Sequence, residues 1–373
     1  MRFIKKNSPD KIILCISDLH LGAGLFFGGK KNNLEDFHYD KELVEFLDFY
    51  SSGKFLKKSV ELIINGDFLD FLSVPYVKYF DDEFWSEDSS LEKLKIIIKG
   101  HKEVFDALKK FSSIKNKKVT YLIGNHDAEL EIKKVRDYFL SYFDEKIELI
   151  NLTSDGYQPL ESVMINHGHQ SERANSFNES SIQKDHRGRE FLIPPWGSYF
   201  VSKVINRFKS ESPHVNSVRP IKKFLIDGLI YDTMNTIRFI LATTYYYLMV
   251  RFIYIFKQGK VKGGFLGFIK EEFDVFNAPE SLKYESLIHD KSLKVYMQGH
   301  THKPEISYPR KDKVFINTGT WTNMYQLDFG RAREEEMLTF AKLEVYNPNN
   351  DNEKINSNLL VWKGLNQNPF VDF

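Results

Sequence analysis

Residues 12–16, Ile-Ile-Leu-Cys-Ile, form an unbroken apolar run. Lys11 precedes it, and Ser17-Asp18-Leu19-His20 and the turn residues Gly22 and Gly24 follow. A short run of this kind reads as a strand buried on both faces. An ionised carboxylate at the mouth of such a strand is poor core material, because it loses several kcal/mol of hydration unless a cation offsets the charge. A divalent metal ion is such a cation, and carboxylate oxygen and imidazole nitrogen are its usual donors.

The pattern recurs along the chain. A second apolar run, 60–65, ends in Gly66-Asp67-Phe68-Leu69-Asp70, and a third, 118–123, ends in Gly124-Asn125-His126-Asp127. Strands are also expected at 147–152 and at 162–166, the latter running into His167-Gly168-His169. Another at 293–297 leads to Gly299-His300-Thr301-His302, and one at 314–321 ends in Asn317-Thr318-Gly319-Thr320-Trp321. Two or three more strands are expected within 324–362. Helical patterns cover 34–49 and 91–111. Strands alternating with helices predict an α/β layered sheet, in which ligands collect at the C-terminal strand ends. The periodicity changes over 170–289, so a core of 1–169 and 290–373 is expected to carry a mostly helical insert.

The chain has 373 residues, 42% of them hydrophobic, which suffices for a large core. Its net charge of +1 argues against strong steering of nucleic acid. One cysteine excludes an internal disulfide framework and predicts a reducing, cytoplasmic setting, with Cys15 as a small buried hydrophobe. The first residues lead through charge straight into the first strand, unlike a signal peptide.

Asp18 with His20, Asp67, Asn125, His167, and His300 with His302 supply metal-type donors from five segments. Each alone is weak. Together, each after an apolar run and most beside a glycine that lets the backbone close on a ligand, they are a strong signal. The ordered series Asp-x-His, Gly-Asp-x-x-Asp, Gly-Asn-His-Asp, His-Gly-His and Gly-His-Thr-His resembles the calcineurin-like metallophosphoesterase superfamily. That resemblance implies a four-layer α/β/β/α sandwich of two mixed sheets and a site for two divalent ions, Mn, Fe or Zn. It implies that Asp18, His20, Asp67 and His302 hold one ion, and that Asp67 bridges to a second completed by Asn125, His167 and His300. A carboxylate can span two ions, whereas an imidazole cannot. His126 would be the general acid and Asp70 its carboxylate partner. His169 would stand behind the ligands or touch substrate. Asp127 reads as a loop cap, and His38, His101 and His289 as surface residues of helices. His186 and His214 lie in the insert, where they could meet substrate.

Within the insert a long helix is expected over 221–256. Residues 237–256 are apolar enough to suggest a membrane span. Arg238, Arg251 and the tyrosines oppose it, and a single span would divide one catalytic core. Two readings remain: a helix packed over the core, or an amphipathic lid that receives lipid or touches a membrane surface. Arg173, Lys184, Arg187, Arg189, Lys203, Arg207 and Lys209 form a basic stretch beside it, with Arg187 and Arg189 as candidate substrate contacts. The plan is similar to that of the UDP-2,3-diacylglucosamine hydrolases of the same superfamily. The expected function is a metal-dependent phosphoesterase acting on a phosphorylated small-molecule or lipid-linked substrate, with peripheral membrane contact through the insert. A nuclease or phosphodiesterase, or a serine/threonine protein phosphatase, is the alternative. A non-enzymatic scaffold is disfavoured because no ligand is missing.

Overall fold

The computed structural model of the chain describes residues 8–75, 85–172, 174–211, 218–219, 228–230, 232–258, 287, 289–328, 331–335, 338–350 and 352–365. The principal strands are β1 (Lys11–Ile16), β2 (Ser59–Asn65), β3 (Lys117–Leu122), β4 (Ile147–Ile150), β5 (Tyr157–Leu160), β6 (Val163–Ile165), β7 (Val295–Gln298), β8 (Glu305–Arg310), β9 (Lys313–Asn317), β10 (Thr339–Tyr346) and β11 (Lys354–Val361). Six form one mixed sheet in the order β11-β10-β1-β2-β3-β4, and five form a second in the order β8-β9-β7-β6-β5. β1, β2, β3 and β4 run parallel, as do β6, β7 and β9.

The unbroken apolar run of β1 has a direct cause. Ile12, Leu14 and Ile16 point into a core shared with Phe46 and Leu108 of the helical layer, while Ile13 and Cys15 point into a second core with Val163, Ile165, Val295, Met297 and Ile316. Side chains alternate across a strand, so a strand sandwiched between two layers must be apolar on both faces. Cys15 is buried, as expected. Helices α1 (Asp40–Ser51), α2 (Glu87–Gly100), α3 (Lys102–Ser112) and α4 (Lys133–Tyr142) belong to the layer on the first sheet. Beyond the second sheet, Leu287 packs with Leu293 and Phe315. Residues 259–286, just before it in the chain, lie outside the described residues.

Several expectations are corrected. The helix anticipated over 91–111 is two helices, α2 and α3, that break at His101 (φ −121°, ψ 36°). A Cβ at Gly100 would come within 2.7 Å of the Ala23 carbonyl, so the helix end presses on the glycine loop that follows the first motif. His101 is buried, not a surface residue: its Nδ1 lies 2.7 Å from Asp40 and its Nε2 3.4 Å from Glu35. The Glu35 carboxylate accepts from the amides of Gly22 (3.0 Å) and Gly24 (2.6 Å), and this loop delays α1 until Asp40. His38 is exposed, but on a loop; His289 is exposed. β5 and β8 are unanticipated strands. Each carries a proline and sits at an edge of the second sheet, where a missing N–H is tolerated.

In the insert, a short helix (Trp196–Phe200), a π-helical turn (Val201–Ile205) and a second short helix (Asn206–Glu211) precede α5 (Thr233–Gln258). Phe239 of α5 packs on Phe200 and Phe208. The basic stretch is not a free rim. Lys209 is buried, 2.6 Å from Asp36 and bonded to the Leu34 carbonyl at 2.8 Å, and Lys203 is buried as well. Arg173, His214 and residues 221–227 lie outside the described residues. No helix among the described residues is long and apolar enough to cross a membrane.

Candidate metal centre

The motifs meet because parallel strands of both sheets end at one edge. β1 delivers Asp18 and His20, β2 Asp67, β3 Asn125, β6 His167, and β7 His300 and His302. Among the described non-glycine residues, nine have positive φ, and five are here: Asp18 (56°), His20 (57°), Asp67 (51°), His300 (69°) and His302 (59°). Left-handed backbone at such residues costs about 1–3 kcal/mol each and survives only where the surroundings impose it. Here the left-handed residues follow the ends of β1, β2 and β7, where their side chains join the cluster. The adjoining glycines make room: a Cβ on Gly66 would overlap His167, one on Gly124 would overlap Asp67, and one on Gly299 would lie 2.6 Å from Asp18.

Two groups of donor atoms result, each spanning no more than 4.8 Å: Asp18 with His20 and His302, and Asp67 with His167 and His300. Asp67 also groups with His20 and His126, so it faces both sets. His20 and His302 approach to 3.0 Å between their Nε2 atoms, His302 lies 3.4 Å from Asp18, and His167 Nε2 lies 3.3 Å from Asp67. The amide of His300 donates to both oxygens of Asp18 at 3.0 and 2.9 Å. His167 Nδ1 donates to the Asn65 carbonyl at 2.6 Å, which leaves Nε2 as its free donor atom.

The buried carboxylates are held in their charged form. Burial alone would raise the carboxyl pKa of Asp67, but His167 and His126 outweigh it and hold it well below the usual range. For Asp18 burial is likewise opposed, by His302 and then His167, with a net lowering. His167 Nε2 and Asn125 Oδ1 are buried without a hydrogen bond. Orphaned buried polar atoms are rare in folded proteins, and these two sit where an ion would use them. A mixed oxygen and nitrogen set with unpaired donors suits a divalent ion of the Mn, Fe or Zn type.

His126 stands at the rim of this cluster. Its amide donates to Asp67 Oδ1 at 2.8 Å, and its Nδ1 lies 3.1 Å from Asp70 Oδ1. Burial disfavours its imidazolium, yet Asp70 and Asp67 raise the pKa to about 9. Asp70 is also fixed by the amides of Leu72 and Ser73 and by the Ser73 hydroxyl, and lies 3.8 Å from His20 Nδ1. Asp127 caps its loop, taking the Gly124 amide at 2.5 Å, the Phe68 amide at 3.0 Å and the Tyr121 hydroxyl. His169 is fully buried, its ring 5.4 Å from that of His167 and 6.5 Å from that of His300; burial and those neighbours hold its pKa well down. Arg187 and Arg189 sit on the hairpin of Ile182–Lys184 and Glu190–Leu192, with Arg189 paired to Asp185 (2.9 Å) and Asp88 (3.3 Å) and Arg187 and His186 exposed. Sequence reading passed over Glu172, which lies 2.8 Å from His300 Nε2, and Thr320, whose hydroxyl donates to the Asp18 carbonyl at 2.5 Å. Glu172 is a lone acid with no spacing signal, and Thr320 lies in the 317–321 turn noted in the sequence, where nothing singles out its hydroxyl.

Residues 12–198 match the sequence profile of the calcineurin-like phosphoesterases. The chain belongs to that family. This phosphoesterase is therefore a metal-dependent phosphoester hydrolase. His300 and His302 lie beyond the matched residues, and β7 brings them to the site. No curated protein matches the chain. Solved structures similar to this phosphoesterase include the phosphopantetheinyl hydrolase of Mycobacterium tuberculosis, at 12% identity, 84% of this chain, 91% of that one and a TM-score of 0.30. A dimetal phosphatase of Danio rerio matches at 10% identity, 95% of this chain, 100% of that one and a TM-score of 0.36. A 5′-nucleotidase of Candida albicans matches at 10% identity, 95% of this chain, 52% of that one and a TM-score of 0.34.

Proposed function

We propose that this phosphoesterase hydrolyses a phosphate ester or pyrophosphate at a centre of two divalent ions. Asp18, His20 and His302 hold one ion, Asn125, His167 and His300 the other, and Asp67 serves both. The supporting observation is the convergence of the two donor groups on Asp67. Bound ions of this kind polarise a phosphoryl oxygen and lower the pKa of a nearby water. The chain's own part begins with Asp70, which binds His126 Nδ1 and favours the imidazolium. With Nδ1 engaged, Nε2 of His126 is the atom that gives its proton to the leaving oxygen. Asp127, by capping the loop of Asn125 and His126, keeps both in place.

We further propose that residues 170–289 form a cap that shapes the substrate site for a phosphorylated small molecule carrying a lipid. Support comes from α5, which leaves Met234, Ile237, Leu241, Tyr245 and Leu248 exposed along one stripe. That stripe suits acyl chains or a membrane surface.

The test is a hydrolysis screen of the Mn-loaded protein over nitrophenyl mono- and diesters, nucleotide-sugar lipids, a phosphopeptide and single-stranded DNA, with Asp67→Ala as control. Turnover of a phosphoester, lost in the control, supports the centre. Activity that survives Asp67→Ala overturns it, and preference for DNA or the phosphopeptide overturns the lipid-linked reading. Liposome binding that is unchanged in Leu241→Glu removes the membrane role of α5.

A further inference from the structure

Glu172 directly follows His169–Ser171, the turn that leaves the His167-Gly168-His169 motif. Its side chain is 56% exposed, so core packing does not force its position, yet Oε2 lies 2.8 Å from His300 Nε2. A carboxylate can only accept, so this contact keeps the ring proton on Nε2 and leaves the lone pair on Nδ1. The same Oε2 accepts from Asn175 Nδ2 at 2.6 Å, and the Glu172 carbonyl takes the amides of Asn175 (2.9 Å) and Ser176 (2.8 Å). Asn175 in turn rests on Gly197 of the helix Trp196–Phe200. A Cβ there would overlap Asn175 Oδ1, and the Gly197 amide donates to the Ala174 carbonyl at 2.7 Å. Glu172 thus stands between a histidine of the centre and the first helix of the insert.

The two histidines grouped with Asp67 are oriented differently. His167 is held by a backbone carbonyl of β2, which the sheet fixes, whereas His300 is held by a side chain on the segment leading into the insert. We propose that Glu172 is a positioning residue: it sets the tautomer and orientation of His300 and, through Asn175, links the seating of the helix Trp196–Phe200 to ion binding at His300. This rests on the two-ion reading above. Partners that orient metal-binding histidines typically contribute about 10- to 100-fold in metal affinity.

The test titrates the ion-free full chain with Mn(II) against a competing chelator and follows the coupled Mn pair by electron paramagnetic resonance. The parent should bind two ions. Glu172→Ala should weaken one of them about 10- to 100-fold and lose the coupled signal at stoichiometric Mn. Glu172→Gln, whose carbonyl can still accept from Nε2, should fall between, and Asn175→Ala should show a smaller loss. Melting temperatures should match the parent's within about 3 °C, as expected for an exposed side chain. Parental affinity for both ions in Glu172→Ala overturns this proposal and leaves the two-ion reading intact. A parent that binds fewer than two ions overturns both.

Discussion

Charge is buried in two kinds of place in this protein. At the strand ends, Asp18, Asp67 and Asp70 face His20, His126, His167 and His302, with Asp18, His20, Asp67 and His302 on left-handed backbone, and His167 Nε2 and Asn125 Oδ1 have no hydrogen bond. In the helical layer, Lys93 of α2 meets Glu129 at 2.8 Å under the rings of Phe71 and Trp85, and His101 lies between Asp40 and Glu35. None of those five charged residues has positive φ. Burial of charge therefore does not mark the site. Strained backbone beneath the donors does, whereas unbonded atoms alone do not, since His101 Nε2 and Glu129 Oε2 of the helical layer also lack a hydrogen bond. The helical-layer clusters carry their counter-charges within the fold and serve structure.

Substitutions separate the two kinds of buried charge. The largest effect is expected for Asp67→Ala. Hydrolysis should fall by about 10³-fold or more, equivalent to roughly 4 kcal/mol of transition-state stabilisation. Thermal stability of the ion-free protein should fall as well, because His167, His126 and the His126 amide lose the carboxylate that they hold ionised. Lys93→Met should act on stability rather than on turnover, costing about 3–5 kcal/mol in denaturant unfolding by stranding Glu129. The double change Lys93→Met with Glu129→Leu should recover most of that loss.

His126→Asn should keep the bound metal, measured by elemental analysis, and slow turnover about a hundredfold on substrates with poor leaving groups. Equal slowing on good and poor leaving groups would remove its acid role. The smallest effect concerns His101. Burial disfavours its imidazolium, but Asp40 and Glu35 outweigh burial and raise its pKa to about 9. A folded pKa above the unfolded value of about 6.5 means a contribution that is complete below that pH and lost as pH rises through about 9. Unfolding free energy should drop by at most about 3 kcal/mol over that window, and His101→Gln should flatten the profile. An unchanged profile would mean that the cluster is not held by charge.

The parallel strands and the seven candidate donors were legible because buried parallel strands need apolar runs and because five of those runs stop on a donor; the division into two sheets was implied only by the family resemblance. The break at His101 was not legible: the helix end there packs at Gly100 against Ala23, far away in sequence. The burial of Lys203 and Lys209 escaped for the same reason. A basic side chain reads as solvated until the fold brings Asp36 to it.

Order and spacing alone therefore determined the buried parallel strands, their polar ends and the candidate donors, since those depend on local periodicity; the edge strands β5 and β8 did not show. Only the tertiary structure decided which nitrogen of His167 is left for an ion, and that Glu172 reaches His300. These are distances between residues far apart in the chain, and hydrogen-bond geometry at that range is set by packing rather than by neighbouring sequence.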